Sequence, residues 1–155
     1  MTQPGTPSAQ ADVRIRADAD AVYALITDLP TLAKLAEETV AMTWYRGDTA
    51  RKGAMFKGDN RNKTRKWTTT CTITESVPGQ VFAFDVRSGL IPVAHWRYDI
   101  TAADDGCLVT EATWDRRPGW FRKIAGAATG VPDRDAENAK NIAATLARLK
   151  EHAER

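Results

Sequence analysis

Cysteine and histidine are scarce in this 155-residue chain: two of each, Cys71, Cys107, His95 and His152. Two cysteines cannot build a disulfide framework. The four side chains do not stand in metal-ligand spacing, so no metal site is expected. Long apolar runs are missing too. None approaches the roughly 20 residues of a membrane span, and no stable membrane insertion is expected. No basic-then-apolar leader precedes Ala11, so the expectation is a cytoplasmic protein with reduced thiols. Neither sign of charge is in excess: 22 basic against 20 acidic residues give a net +2. That balance argues against nucleic acid as a partner. No glycine-rich phosphate motif appears, and no cofactor is expected.

What is present is a globular composition, 43% hydrophobic and 27% charged, which suits one domain with a sizeable core. Residues 1–10, with Pro4, Gly5, Pro7 and Ser8, read as a loose tail, and residues 11–155 as the domain. The most strongly patterned stretch is a long amphipathic helix over Asp133–Ala153. Its apolar stripe is Ala139, Ile142, Ala143, Leu146, Leu149 and Ala153, and its polar face carries Glu137, Asn141, Arg148 and Glu151. Asp135 and Glu137 suit the first turn, and Lys150 and His152 the last.

Almost everything before that helix alternates with period two. A first strand is expected over Ala11–Arg16. A short helix follows, carrying Val22, Leu25, Ile26 and Leu29 and ended by Pro30. A second one is capped by Thr31 and reaches about Glu38. Six strands come next: Val40–Tyr45, Ala54–Asn60, Lys66–Glu75, Val81–Val86, Val93–Ile100 and Cys107–Asp115. Short turns such as Val77-Pro78-Gly79 and Asp104-Asp105-Gly106 join them, which implies an antiparallel meander. The fold class is therefore α+β, with a curved sheet wrapped around the last helix. Residues 116–131 interrupt the strands and contain a short apolar helix around Trp120–Ala125.

Parity assigns the strand faces. Phe56, Gly58 and Asn60 face the helix, as do Trp67, Thr69, Cys71 and Ile73. So do Phe82, Phe84 and Val86, and likewise Trp96, Tyr98 and Ile100. The last strand is ambiguous. Leu108, Thr110, Ala112 and Trp114 form its more apolar face; if that face is inward, Glu111 meets Arg97 on the outer surface. Aromatic walls with small Thr, Cys and Gly residues suit an apolar ligand cavity. The alternative is that these rings simply fill a solid core.

The ordered segments Val13–Pro30, Gly53–Asn60, Trp67, Val77–Val86, His95–Ile100, Asp105–Asp115 and Asn141–Lys150 together resemble the SRPBCC superfamily. It is also called START-like or Bet v 1-like, and the nearest branch is its polyketide cyclase/dehydrase and lipid-transport group. The resemblance implies a helix-grip fold, in which a seven-stranded antiparallel sheet curves around the C-terminal helix over a hydrophobic cavity. In the cyclases it also implies an Arg on the strand matching Trp67–Ile73 and a nearby Tyr. Here Thr69, Cys71 and Ile73 hold the inward positions.

Two functions follow as expectations. The first is a carrier or sensor of a small hydrophobic molecule. Its cavity is lined by Phe56, Asn60, Trp67, Thr69, Cys71, Phe82, Phe84, Trp96 and Tyr98, with Ile142 and Leu146 from the helix. The second is a polyketide cyclase/dehydrase enzyme. Convergent polar side chains deep in the cavity favour the enzyme, and an all-apolar wall the carrier. The acid–base candidates are Tyr23, Tyr45, Tyr98, Asp59, Glu38, His95 and Glu111, with Tyr98 and Glu111 foremost and His95 on the outer face. Cys71 reads as an inert wall residue. Leu90, Ile91, Trp120 and Phe121 are expected at the cavity mouth, where the segment flanked by Arg122 and Lys123 forms a lid or packs on the sheet edge. Arg61, Lys63, Arg65 and Lys66 make a basic hairpin tip, either solvated or touching anionic lipid heads. The chain is expected to be a monomer or homodimer.

Overall fold

The computed structural model describes residues 5–155. Seven strands form one sheet: β1 (Ala9–Ile15), β2 (Thr39–Arg46), β3 (Met55–Asn62), β4 (Arg65–Val77), β5 (Val81–Ser88), β6 (Ile91–Ala103) and β7 (Gly106–Asp115). Their order is β1-β7-β6-β5-β4-β3-β2, with every neighbouring pair antiparallel. Only β1 leaves the meander, crossing to pair with the last strand. This is the antiparallel sheet expected from the alternation and short turns. Register shifts at Thr39/Ala41, Trp44/Arg46, Ile73/Glu75 and Val86/Arg87 put an extra residue into a strand. Such bulges sharpen twist and bend the sheet toward its concave face.

Helices α1 (Ala19–Thr27) and α2 (Leu29–Leu35) lie between β1 and β2. The boundary differs from the sequence reading. Pro30 does not end a helix; it sits in the first turn of α2, where no backbone donor is needed. Asp28 is the cap, accepting from the Thr31 amide at 3.2 Å. Helix α3 (Gly119–Thr129) follows β7, and the long α4 (Arg134–Ala153) closes the chain. The Asp133 carboxylate caps α4, accepting from the Ala136 amide at 3.1 Å. Of the tail expected over 1–10, residues 1–4 lie outside the described residues. Ala9 and Gln10 already pair in β1, and the Ser8 amide donates to the Thr113 carbonyl at 2.8 Å.

At the β6–β7 turn Gly106 has φ +148°, and a Cβ there would lie 2.0 Å from the Ile15 carbonyl oxygen. The turn packs so closely on the end of β1 that only glycine fits.

Helix α4 packs on β1 and β7, with α1 and α2 against its flank. Its two halves differ. Leu146 and Leu149 are fully buried in the core with Ile15, Val22, Ile26 and Val109. The first half instead turns Asn138, Asn141, Ile142 and Thr145 toward the sheet across a gap. The buried stripe is thus rotated from the one predicted: Ala139 and Ala143 are exposed, while Asn138 and Thr145 are buried. Alanine stripes do not distinguish faces as leucine does, because a methyl group gains little from burial.

Candidate functional site

The gap between the concave face and α4 is a cavity of about 320 Å³. Phe56, Asn60, Trp67, Thr69, Cys71, Phe84, Trp96 and Tyr98 of the strands and Ile142 of α4 line it. Phe82 and Leu146 do not; both are buried below its floor. Phe82 packs beneath Phe84 and Tyr98, with ring centroids 5.4 and 6.5 Å away. Leu146 lies one helical turn past Ile142, where the void ends and solid packing begins.

At the mouth Phe121, Ile124, Ala125 and Ala128 of α3 close one side. Trp120 is 60% exposed beside Phe121, its ring centroid 5.7 Å away, and does not line the cavity. Helix phase points adjacent residues in different directions, so only one of the pair faces inward. Leu90 and Ile91 also stay off the lining; Leu90, at a hairpin tip, is 92% exposed.

Strand β7 resolves against its more apolar face. Val109, Glu111 and Thr113 point inward. Glu111 therefore does not meet Arg97; that guanidinium pairs with Glu75 and Asp99 on the outer face. Glu111 instead stands directly opposite Tyr98 in the β6–β7 register, and the Tyr98 hydroxyl donates to Glu111 Oε2 at 2.7 Å. Glu111 is 3% exposed, and Oε1 has no hydrogen-bond partner among the described residues. Burial, partly offset by the Tyr98 hydrogen bond, pushes its carboxyl up to about 8. Burial and the neighbouring carboxyl push the Tyr98 phenol up as well. Near neutral pH the pair is a carboxylic acid beside a phenol, set in a wall of aromatic rings.

Further polar groups of the lining are Asn60, which strand parity placed inward, and the Arg134–Glu38 and Arg117–Asp115 pairs, to which no strand parity applies. The Asn60 amide donates to Thr69 Oγ1 at 3.1 Å and its oxygen accepts from Thr39 at 3.1 Å. Arg134 pairs with Glu38, which also accepts from Asn141 Nδ2 at 2.9 Å. Across the mouth, Arg117 makes a two-pronged pair with Asp115, at 3.0 and 2.8 Å. Burial alone would raise Asp115, but Arg117 outweighs it and holds the carboxyl low. Arg117 and Arg134 are the two guanidiniums of the lining, and each is paired with a carboxylate.

His95 is on the outer face, as expected, but it is 0% exposed. Trp114 covers it, with ring centroids 5.5 Å apart, and Nδ1 lies 2.7 Å from the Asp85 carboxylate. Burial lowers its pKa despite that partner. The sheet separates it from the cavity. Tyr23 bonds Ser76, Tyr45 is exposed, and Asp59 accepts from Thr68 on the outer face. Among the described residues no three His, Cys, Asp or Glu side chains come together as metal ligands.

Burial pushes the Cys71 thiol up to about 12, against a smaller lowering by Thr69, and Cys107 is also buried and raised. Thiolate attack is therefore suppressed at both. Neither thiol is expected to react with an aromatic disulfide reagent in the folded protein at pH 8, and both should react in denaturant. Rapid labelling of folded protein would contradict this environment.

A family model described as polyketide cyclase / dehydrase and lipid transport matches residues 6–154. Among curated protein sequences, none matches this chain. Three solved structures similar to it are the polyketide-cyclase-like protein Cgl2372 from Corynebacterium glutamicum, protein CV1439 from Chromobacterium violaceum, and the di-domain ARO/CYC StfQ from the steffimycin biosynthetic pathway. Cgl2372 is 21% identical, covers 97% of this chain and 93% of its own, and has a TM-score of 0.63. CV1439 is 15% identical, covering 94% and 96%, at 0.72. StfQ is 14% identical at 0.73; the match covers 94% of this chain but 49% of StfQ. At these identities the likeness is one of fold.

Proposed function

The chain belongs to the polyketide cyclase / dehydrase and lipid transport family, and we propose that it binds one small hydrophobic molecule in the cavity between sheet and α4, as carrier or sensor. The observation that carries this reading is the change of character along α4. Where α4 meets β1 it buries Leu146 and Leu149 tightly; where it faces β3–β6 it presents Asn138, Ile142 and Thr145 across an open space walled by Phe56, Trp67, Phe84 and Trp96. A solid core has no use for such a gap. About 320 Å³ lies at the lower end of the ~300–1,000 Å³ range of ligand pockets, which suits a single compact molecule. Affinity would come mainly from apolar burial, about 25 cal/mol per Å² before association costs.

One observation favours a second reading, an enzyme of the cyclase/dehydrase kind. Tyr98 and Glu111 converge in the wall, and a protonated carboxyl there is poised as a general acid near neutral pH. Glu111 would give its proton to a substrate carbonyl oxygen while the Tyr98 hydroxyl stabilises the carboxylate left behind.

Native mass spectrometry of protein purified from its own host tests both. The expected result is a non-covalent adduct of one small molecule, released on denaturation and identifiable by extraction. Incubation of the adduct then separates the readings: a carrier returns the ligand unchanged, and an enzyme returns a cyclised or dehydrated product. Apo protein alone, with no tryptophan quenching by a panel of fatty acids and polyketides, would count against both.

A further inference from the structure

We propose that this cavity selects an uncharged ligand, an apolar body bearing a ketone or ester carbonyl that meets the Tyr98–Glu111 pair, and turns away carboxylates and phosphates. The inference rests on the binding reading above and adds the charge class of the molecule. It follows from the ionisable groups that line the cavity. Besides the Tyr98 phenol and the Cys71 thiol, both kept protonated by burial, they are four carboxyls, Glu37, Glu38, Glu111 and Asp115, and two guanidiniums, Arg117 and Arg134. Both guanidiniums are committed. Arg117 is held in two-pronged fashion by Asp115, and Arg134 donates one nitrogen to Glu38 and the other to the Thr129 hydroxyl. Glu37 is paired with Arg148 from outside the lining, at 2.7 Å. An anionic ligand would find no unpaired cation, and it would lose hydration without recovering it from an ion pair.

The deep station points the same way. The Tyr98 hydroxyl donates to Glu111 Oε2, leaving Oε1 buried without a partner among the described residues. While Glu111 is protonated, that oxygen can carry the acid hydrogen and donate it to a neutral carbonyl acceptor. Tyr98 on β6 is its partner, and elsewhere in the lining stand the Cys71 thiol on β4, Asp115 further along β7 with Arg117 after it, Glu37 and Glu38 after α2, and the neutral Asn138 and Thr145 on α4 with Arg134 at its first turn. None places an unpaired positive charge beside Glu111, in keeping with a carboxyl raised by burial. As pH rises through about 8 the donor is lost and the cavity gains a negative charge.

The test uses the full chain and two probes of matched length, methyl decyl ketone and dodecanoate, with binding read by tryptophan quenching at neutral pH. The ketone is expected to bind at least about tenfold more tightly. Its affinity should weaken severalfold between about pH 7 and about pH 9 in the wild type, and stay flat in Glu111→Gln. Equal or tighter binding of dodecanoate would overturn the charge selection while leaving cavity binding intact. The same pH dependence in Glu111→Gln would overturn the part given to Glu111. Binding of neither probe would overturn this inference and the binding reading together.

Discussion

Replacing Glu111 with Gln is expected to raise thermal stability at pH 8 and to leave it nearly unchanged at pH 5. The sign follows from linkage. The carboxyl is raised by burial from 4.5 to about 8 on folding. Its protonated form is thus fully tolerated below the unfolded value, and stability is lost as pH rises from there through the folded value. Between pH 5 and pH 8 the accumulated loss is on the order of 3 kcal/mol. Gln occupies the same space, can accept from Tyr98 and never ionises. The difference in melting temperature between variant and wild type should therefore be more positive at pH 8 than at pH 5, by about 5–10 °C for a domain of this size. Thermal melts of both proteins at the two pH values measure it. An equal difference at both would mean that Glu111 ionises at an ordinary pH and is not held in a dry wall.

The second large effect separates floor from wall. Phe82 is fully buried, packed under Phe84 and Tyr98. Its replacement by Ala should cost about 3–5 kcal/mol, the usual range for deleting a core aromatic ring. Trp67 is a larger ring but only half-buried, with one side on the cavity. That side has no partner atoms to lose, so Trp67→Ala should cost only about 1–2 kcal/mol in the ligand-free protein. Denaturant titrations with unchanged slope give both values. Equal costs would mean that the wall is packed as tightly as the floor.

Much of this geometry is legible in the sequence because strand parity is a strict period. Trp67, Thr69 and Cys71 share one face of β4, and each neighbouring strand's own alternation sets Phe56, Phe84, Trp96 and Tyr98 on matching faces. The reasoning fails where alternation and polarity disagree. On β7 the more apolar face, with Leu108, Ala112 and Trp114, is outside, because Trp114 covers His95 there. Inside, Val109, Glu111 and Thr113 face the core and cavity. A buried acid contradicts the polarity pattern, and its partner Tyr98 is visible only once the β6–β7 register is known. Arg117 and Arg134 lie in a loop and at the start of a helix, where no two-residue period assigns a face. Phe82 and Leu146 share the inward faces of β5 and α4 yet lie below the cavity, because periodicity gives direction and not depth.

The most direct measurement is an NMR titration of the full chain with methyl decyl ketone. A molecule inside the cavity should saturably shift the Trp67 and Trp96 indole signals together with Ile142 and Thr145, and leave Val22 and Leu149 in the solid core unchanged. Shifts confined to the outer face around Trp114, or none at saturating ketone, would show that nothing enters between the sheet and α4.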